Sequence, residues 1–307
     1  MVTFVCMPSG NILSWFDKDT VKHLRVKFSY HLMPVFLFSL SQAVEINWHN
    51  TIIAFLILHL LIYPSSNGYN SYQDKDEGSI GGLKNPPKVS VNLFFVSMLL
   101  DFIGIVLSFF VSGYFALFVF GYVIISRAYS YRRLRLKKFA IIGFLTVFLF
   151  QGAFTYIMVS TGVSNSFLQN IFALNSVICM SVASLFIGSV YPLTQIYQHE
   201  ADKKDGVTTI SYKLGYIGTF VFSSTMFGLA TGLLYYYFNR ENHLIAFVLF
   251  LILMLPVVIR LLFWFMKVLK DKTNANFENT MGMNLMASTC MNLYFLLLIL
   301  NRSYNWF

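Results

Sequence analysis

Two stretches of this chain carry oxygen-bearing residues from which a divalent-cation site can be built. One reads Tyr63-Pro-Ser-Ser-Asn-Gly-Tyr-Asn70-Ser-Tyr-Gln-Asp74-Lys-Asp76-Glu77-Gly78. The other reads Tyr191-Pro-Leu-Thr-Gln195-Ile-Tyr-Gln198-His-Glu200-Ala-Asp202-Lys-Lys-Asp205-Gly206-Val-Thr-Thr209. Both open on a Tyr-Pro step, run through polar residues and close on acids before a glycine. Asn70 and Asp74 stand four apart and share one helical face, as do Gln198 and Asp202. Gly78 and Gly206 follow four residues further on. Carboxylates and amides are hard oxygen ligands, and Mg2+ uses few of them because it also takes water and substrate phosphate oxygens. Asp76 and Glu200 are two positions off these faces and join only where the helix unwinds, which the nearby glycines permit. One such cluster could simply end a helix at an interface. Two related ones point to chemistry.

A third cluster supplies the opposite charge. Tyr129-Ser-Tyr131-Arg132-Arg133-Leu-Arg135-Leu-Lys137-Lys138 is the densest basic run in the chain. Part of it anchors a membrane helix on the positive face. Arg forks and Lys point charges also suit phosphate oxygens. Cations beside acidic metal ligands imply a diphosphate substrate, and the Phe-, Leu- and Ile-rich surroundings imply that the rest of that substrate is hydrocarbon.

These clusters need elements to hold them. The 307 residues are 57% hydrophobic and 11% charged, with a mean hydropathy of +0.64. Soluble domains are about 45–50% apolar and about 25% charged, so a soluble globule and a disordered chain are both excluded. Nine apolar stretches approach the roughly 20 residues that a bilayer crossing needs. They fall near 28–45, 51–66, 91–110, 113–127, 139–160, 170–192, 215–238, 243–266 and 281–301. With that count, nineteen of the 22 Lys and Arg fall on one face. Arg240 and Arg302 fall on the other, and Arg260 lies inside the eighth stretch. This asymmetry sets the N-terminus in the cytoplasm and the C-terminus outside. It also accounts for the net charge of +9 without nucleic acid. No signal peptide is evident in residues 1–27. The three cysteines (Cys6, Cys179, Cys290) are too scattered for a disulfide framework and read as packing residues.

At these clusters the sequence resembles the UbiA superfamily of intramembrane prenyltransferases, over about residues 25–300. In the family's first motif, Asn-Asp-x-x-Asp-x-x-x-Asp, Asn70 and Asp74 match, while Ser71 and Gly78 stand at the second and last positions. This form is similar to the naphthoate-prenylating branch. In the second motif, Asp-x-x-x-Asp-x-x-x-Gly-x-x-Thr, Asp202, Gly206 and Thr209 match, and Gln198 replaces the first Asp. The basic run resembles a Tyr-Ser-x-Pro-Pro-Leu-Lys-Leu-Lys segment of the chlorophyll-synthase-like branch, with Arg132 and Arg133 for the prolines and Arg135 for the first Lys.

The resemblance implies an all-α integral membrane protein. Nine transmembrane helices would bundle around a central cavity, with cytoplasmic loops capping the active site. Residues 1–27 would form a cytoplasmic lead and 28–307 the catalytic domain, in a bacterial inner membrane. Asp74 and Asp202 would be catalytic. Asn70, Asp74, Gln198, Glu200 and Asp202 would hold Mg2+, and Tyr131, Arg132, Arg133, Arg135 and Lys137 the diphosphate. Tyr63, Tyr69, Tyr72, Tyr191 and Tyr197 could shield an allylic cation from water. The expected partners are a prenyl diphosphate, a small aromatic or quinone-precursor acceptor and membrane lipids, with no nucleic acid and no obligate protein partner. The alternatives are a terpene cyclase of the same superfamily and a non-enzymatic lipid carrier. Asp101 and Arg260 sit within apolar stretches, where ionisable groups face the protein interior, and receive no role. His23, His31, His49, His59, His199 and His243 show no metal-ligand spacing.

Overall fold

The structure is a computed structural model that describes residues 11–75, 77–164 and 167–304. Cys6 and Asp76 lie outside the described residues. Among the described residues the chain is helical, and its only β-type pairing is an isolated bridge between Ile80 and Leu83. Nine apolar helices are α1 (Met33–Gln42), α2 (Trp48–Asp74), α3 (Asn92–Ser108), α4 (Gly113–Ser130), α5 (Ala140–Val163), α6 (Leu174–Lys204), α7 (Ile210–Arg240), α8 (Leu244–Lys270) and α9 (Phe277–Arg302). Seven are long and apolar enough to cross a membrane, and α1 and α3 are shorter. They occupy the nine positions expected from hydropathy.

Their outer faces are apolar. Phe102, Leu117, Ile252 and Phe263 are all exposed, which suits hydrocarbon rather than water. The helices run further than hydropathy alone suggests, because polar ends stay helical. Arg127 lies in the last turn of α4, Lys203 and Lys204 in that of α6, and Lys267 and Lys270 in that of α8. They remain at the same helix ends, where cations complement the C-terminal dipole.

The chain forms two compact units. The first holds the residues up to Ser29 with Ile52–Arg135, and the second Tyr30–Thr51 with Leu136 onward. In the first, α2 carries a π turn at Ile57–Ile62 directly before Tyr63 and Pro64. A proline lacks the N–H that closes the preceding helical turn, and its ring presses on the carbonyl four residues back. A widened turn relieves both without ending the helix. The Tyr-Pro step is therefore internal to α2, and the motif that follows is helical. Gly68 lets α2 and α3 approach, since a Cβ there would lie 2.7 Å from Ser97 Oγ. A short helix, Lys18–Leu24, is capped by Asp17, whose Oδ1 accepts from the Asp19 and Thr20 N–H groups. Its Leu24 packs with Leu93, Val96 and Leu100.

In the second unit, α6 contains Pro192, tightens to a 3-10 turn at Ile196–Gln198, and resumes at His199–Lys204. That turn sets the phase of the second motif.

Candidate active site

In the first unit the motif is one face of α2. Ser66, Asn70 and Asp74 recur every fourth residue and meet polar partners on or just beyond α4. Ser66 and Ser126 share a hydroxyl hydrogen bond. The Asn70 amide donates to Ser130 Oγ at 3.0 Å, which leaves its Oδ1 oxygen available as a ligand. Asp74 is buried and forms an ion pair with Arg135 at 3.3 Å. The helix ends at the next residue, where Lys75 adopts the left-handed conformation (φ 53°). Arg132 caps that end: its Nε donates to the Gln73 carbonyl at 2.6 Å and its Nη2 to the Asp74 carbonyl at 3.2 Å. These are carbonyls that a helix C-terminus leaves without partners. Arg135 is itself left-handed (φ 42°), which lets the short turn after α4 bring its guanidinium to Asp74. The basic run thus forms part of the first motif's structure. Tyr131 and Arg133 are exposed beside it.

One layer deeper lies a group that the sequence reading missed. Arg127 of α4 pairs with Asp101 of α3, and both also bond Ser65 of α2. The Arg127 guanidinium lies 4.1 Å from the centroid of the Tyr69 ring. Its Nε and Nη1 are buried without partners among the described residues. The sequence alone gives Asp101 no role and puts Arg127 only among the cations of one face. The signal was present, since an acid and a base at membrane depth usually seek each other.

In the second unit the second motif has a geometric logic of its own. Gly206 is left-handed (φ 64°), with its N–H bonding Lys203 O and the Val207 N–H bonding Asp202 O. This is the Schellman close of a helix, which favours glycine at that position. Three residues on, Thr209 caps α7 by accepting from the Tyr212 N–H, and its hydroxyl donates to Asp202 Oδ2 at 3.3 Å. The Asp-x-x-x-Gly-x-x-Thr spacing is thus a helix end, a turn and a helix start that together orient one carboxylate. The Thr208 N–H bonds Lys138 O, so the end of the basic run lies against this loop. Gln198 is the N-cap of His199–Lys204, not a residue within a regular helix. Glu200 is exposed in the first turn. His199 turns into the protein, bonding Ser211 at 2.8 Å and stacking on Tyr216.

No group of three or more His, Cys, Asp or Glu gathers at metal-binding distance among the described residues. The donors present are amide and carboxylate oxygens, one or two per motif. That set suits Mg2+, which completes its shell with water and phosphate oxygens.

Below the second motif, α1 and α6 to α9 of this unit enclose an apolar chamber of about 110 Å³. Leu193, Phe186, Phe227, Met254, Ala287 and Phe295 line it. His31 and Ser288, whose Nδ1 and Oγ are 2.9 Å apart, are among its polar lining residues.

A model of the UbiA prenyltransferase family matches residues 32–286. The chain belongs to the UbiA prenyltransferase family. No curated protein sequence matches it. Solved structures share its fold. A UbiA homologue from Archaeoglobus fulgidus bound to DMAPP and Mg2+ is 16% identical, with a TM-score of 0.66, covering 92% of this chain and 99% of that one. The same homologue bound to GPP and Mg2+ gives a TM-score of 0.64. A digeranylgeranylglyceryl phosphate synthase is 19% identical, with a TM-score of 0.58, covering 92% and 97%. The UbiA fold thus accounts for the helix order, and the motifs fall at the ends of α2 and α6.

Proposed function

We propose that this UbiA-family protein transfers a prenyl group from an isoprenoid diphosphate to an aromatic or quinone-precursor acceptor in the membrane. The observation that carries the reading is that each acidic motif touches part of one basic run, through an ion pair at the first and a backbone hydrogen bond at the second. Asp74 meets Arg135 in one unit, and the Asp202 loop meets Lys138 in the other. An acid for a divalent cation and a cation for phosphate oxygens are thereby side by side at the first motif, and the end of the basic run lies along the second. The relatives solved with DMAPP or GPP and Mg2+ support this substrate class.

In this reading Asn70, Asp74, Gln198, Glu200 and Asp202 supply the Mg2+ ligands, and Asp74 and Asp202 are the catalytic carboxylates. Bound Mg2+ would neutralise charge on the diphosphate leaving group. Tyr131, Arg132, Arg133, Arg135 and Lys137 hold the phosphates and stabilise negative charge as the C–O bond ionises. The apolar chamber accepts hydrocarbon, and its aromatic walls keep water from the allylic cation. The distribution of basic residues supports a cytoplasmic N-terminus and an external C-terminus, and the same proposal places the protein in a bacterial inner membrane.

The test is incubation of the reconstituted protein with isotope-labelled geranyl or geranylgeranyl diphosphate and Mg2+, with and without dihydroxynaphthoate or hydroxybenzoate. A prenylated aromatic formed only with acceptor is expected. A cyclic hydrocarbon formed without acceptor would replace transfer by cyclisation. No turnover of any diphosphate would remove the enzymatic reading.

A further inference from the structure

The second unit holds another cavity, at the far end of its helices from the motif. It measures about 490 Å³ and is lined at the ends of α1, α5, α7 and α9 and the starts of α6 and α8. Asn175, at its wall, and Gln198, at the motif, lie 23 residues apart along α6, which at helical rise is about 35 Å. The cavity is thus separate from the candidate active site. In contrast to the chamber near the motif, its lining is rich in hydroxyl and amide groups.

Its two charged groups of opposite sign, Glu241 and Arg302, do not pair with each other. Glu241 Oε1 accepts from the Asn175 amide at 2.8 Å, and its second oxygen has no protein partner among the described residues. The Asn175 carbonyl oxygen is buried and also unpartnered. The bond to Glu241 fixes which end of that amide is oxygen. A carboxylate oxygen and an amide oxygen therefore form an acceptor pair without a donor. Arg302 spends one N–H on the Val44 carbonyl at 2.8 Å and has further donors to offer. The N-caps of α6 and α8, Ala173 and His243, line the same cavity, and neither side chain bonds its own helix. Uncapped helix starts present N–H groups to an anion.

A carboxylate and a guanidinium that share a cavity at a helix-end layer, each with hydrogen-bonding capacity left for a ligand, match a ligand bearing both charges. We propose that this cavity binds the zwitterionic phosphoethanolamine group, its ammonium on Glu241 and Asn175 and its phosphate on Arg302 and the open helix starts. A membrane lipid headgroup and a soluble glycerophosphodiester share this chemistry.

The test is native mass spectrometry of the delipidated full-length protein, exposed in turn to phosphatidylethanolamine, phosphatidylglycerol and soluble glycerophosphoethanolamine. The wild type is expected to retain one phosphatidylethanolamine at least about tenfold more tightly than phosphatidylglycerol, the effect of one charged hydrogen-bonded contact. Glu241→Gln should erase that preference, and Arg302→Met should weaken both lipids. Asp202→Asn should change neither. Displacement by glycerophosphoethanolamine identifies the free headgroup as a sufficient ligand. Retention of the lipid without such displacement identifies the lipid as the source. Equal wild-type binding of the two lipids overturns the proposal without reliance on any variant. So does a preference that survives Glu241→Gln.

Discussion

At the scale of single residues, two features of the site carry measurable consequences. Gly206 has open space around its missing Cβ but a left-handed backbone. Gly206→Ala should therefore destabilise by about 1–2 kcal/mol through the backbone alone. The measurement is the thermal midpoint in detergent, and an unchanged midpoint would contradict the Schellman role. Arg127 and Asp101 form a buried pair whose halves are costly when separated. Arg127→Met should destabilise by about 3 kcal/mol or more, whereas Arg127→Met with Asp101→Leu should recover much of that loss. Unfolding in denaturing detergent checks it, and a double variant no better than the single one would contradict the pairing. The spacing of Asn70 with Asp74 was legible in the sequence, because helical period makes it so. The Arg127–Asp101 pair was not, because nothing local ties residue 101 to residue 127. Only the packing of α3 and α4 against α2 brings them to Ser65.

At the scale of elements, helix existence was legible and helix ends were not. Hydropathy falls away at Tyr63-Pro64 and again at Tyr191-Pro192, and apolarity alone would stop α2 and α6 there. Both continue, through a π turn in one and a 3-10 turn in the other. The sequence alone shows the short helix Lys18–Leu24 only as part of a cytoplasmic lead, because its packing partners lie about 70 residues away on α3. His23 ties this helix to the loop between α2 and α3, with its Nε2 donating to Pro87 O at 2.8 Å. Burial holds its imidazole below the usual range. A folded-state pKa below the unfolded value means that the undocked state takes up the proton more readily. The contribution to docking is then present above about pH 6.5 and lost as pH falls below it. Hydrogen-exchange protection across residues 18–24, relative to the intrinsic exchange rate at each pH, should fall between pH 7.5 and pH 5, and His23→Gln should flatten that dependence. An equal response in the variant would assign the effect elsewhere. The apolar chamber makes a prediction of its own. Its volume of about 110 Å³ is small, so Ala287→Phe should fill it and shift preference toward shorter prenyl diphosphates, read as relative kcat/KM. An unchanged chain-length profile would remove the chamber from substrate binding.

At the scale of the whole molecule, the polar minority of side chains does the locating. A chain with 11% charged residues has few to spare, and several of them stand in the last turns of helices, as Lys203 and Lys204 do on α6 and Lys267 and Lys270 on α8. The fold class was legible because apolar length and cation asymmetry are whole-chain properties that survive local misreadings. The acceptor was not legible, because a small molecule is recognised by a few dispersed contacts that no local pattern announces. The central claim is that both motifs serve one diphosphate-ionising reaction, and pyrophosphate release tests it most directly. The assay uses the reconstituted protein, a prenyl diphosphate and Mg2+, comparing wild type with Asp74→Asn and Asp202→Asn. Each variant should lose about 10²–10³-fold in rate, the scale of removing one preorganised electrostatic contact, and wild-type release should stop when Mg2+ is chelated. Release at the wild-type rate in both variants would contradict the account.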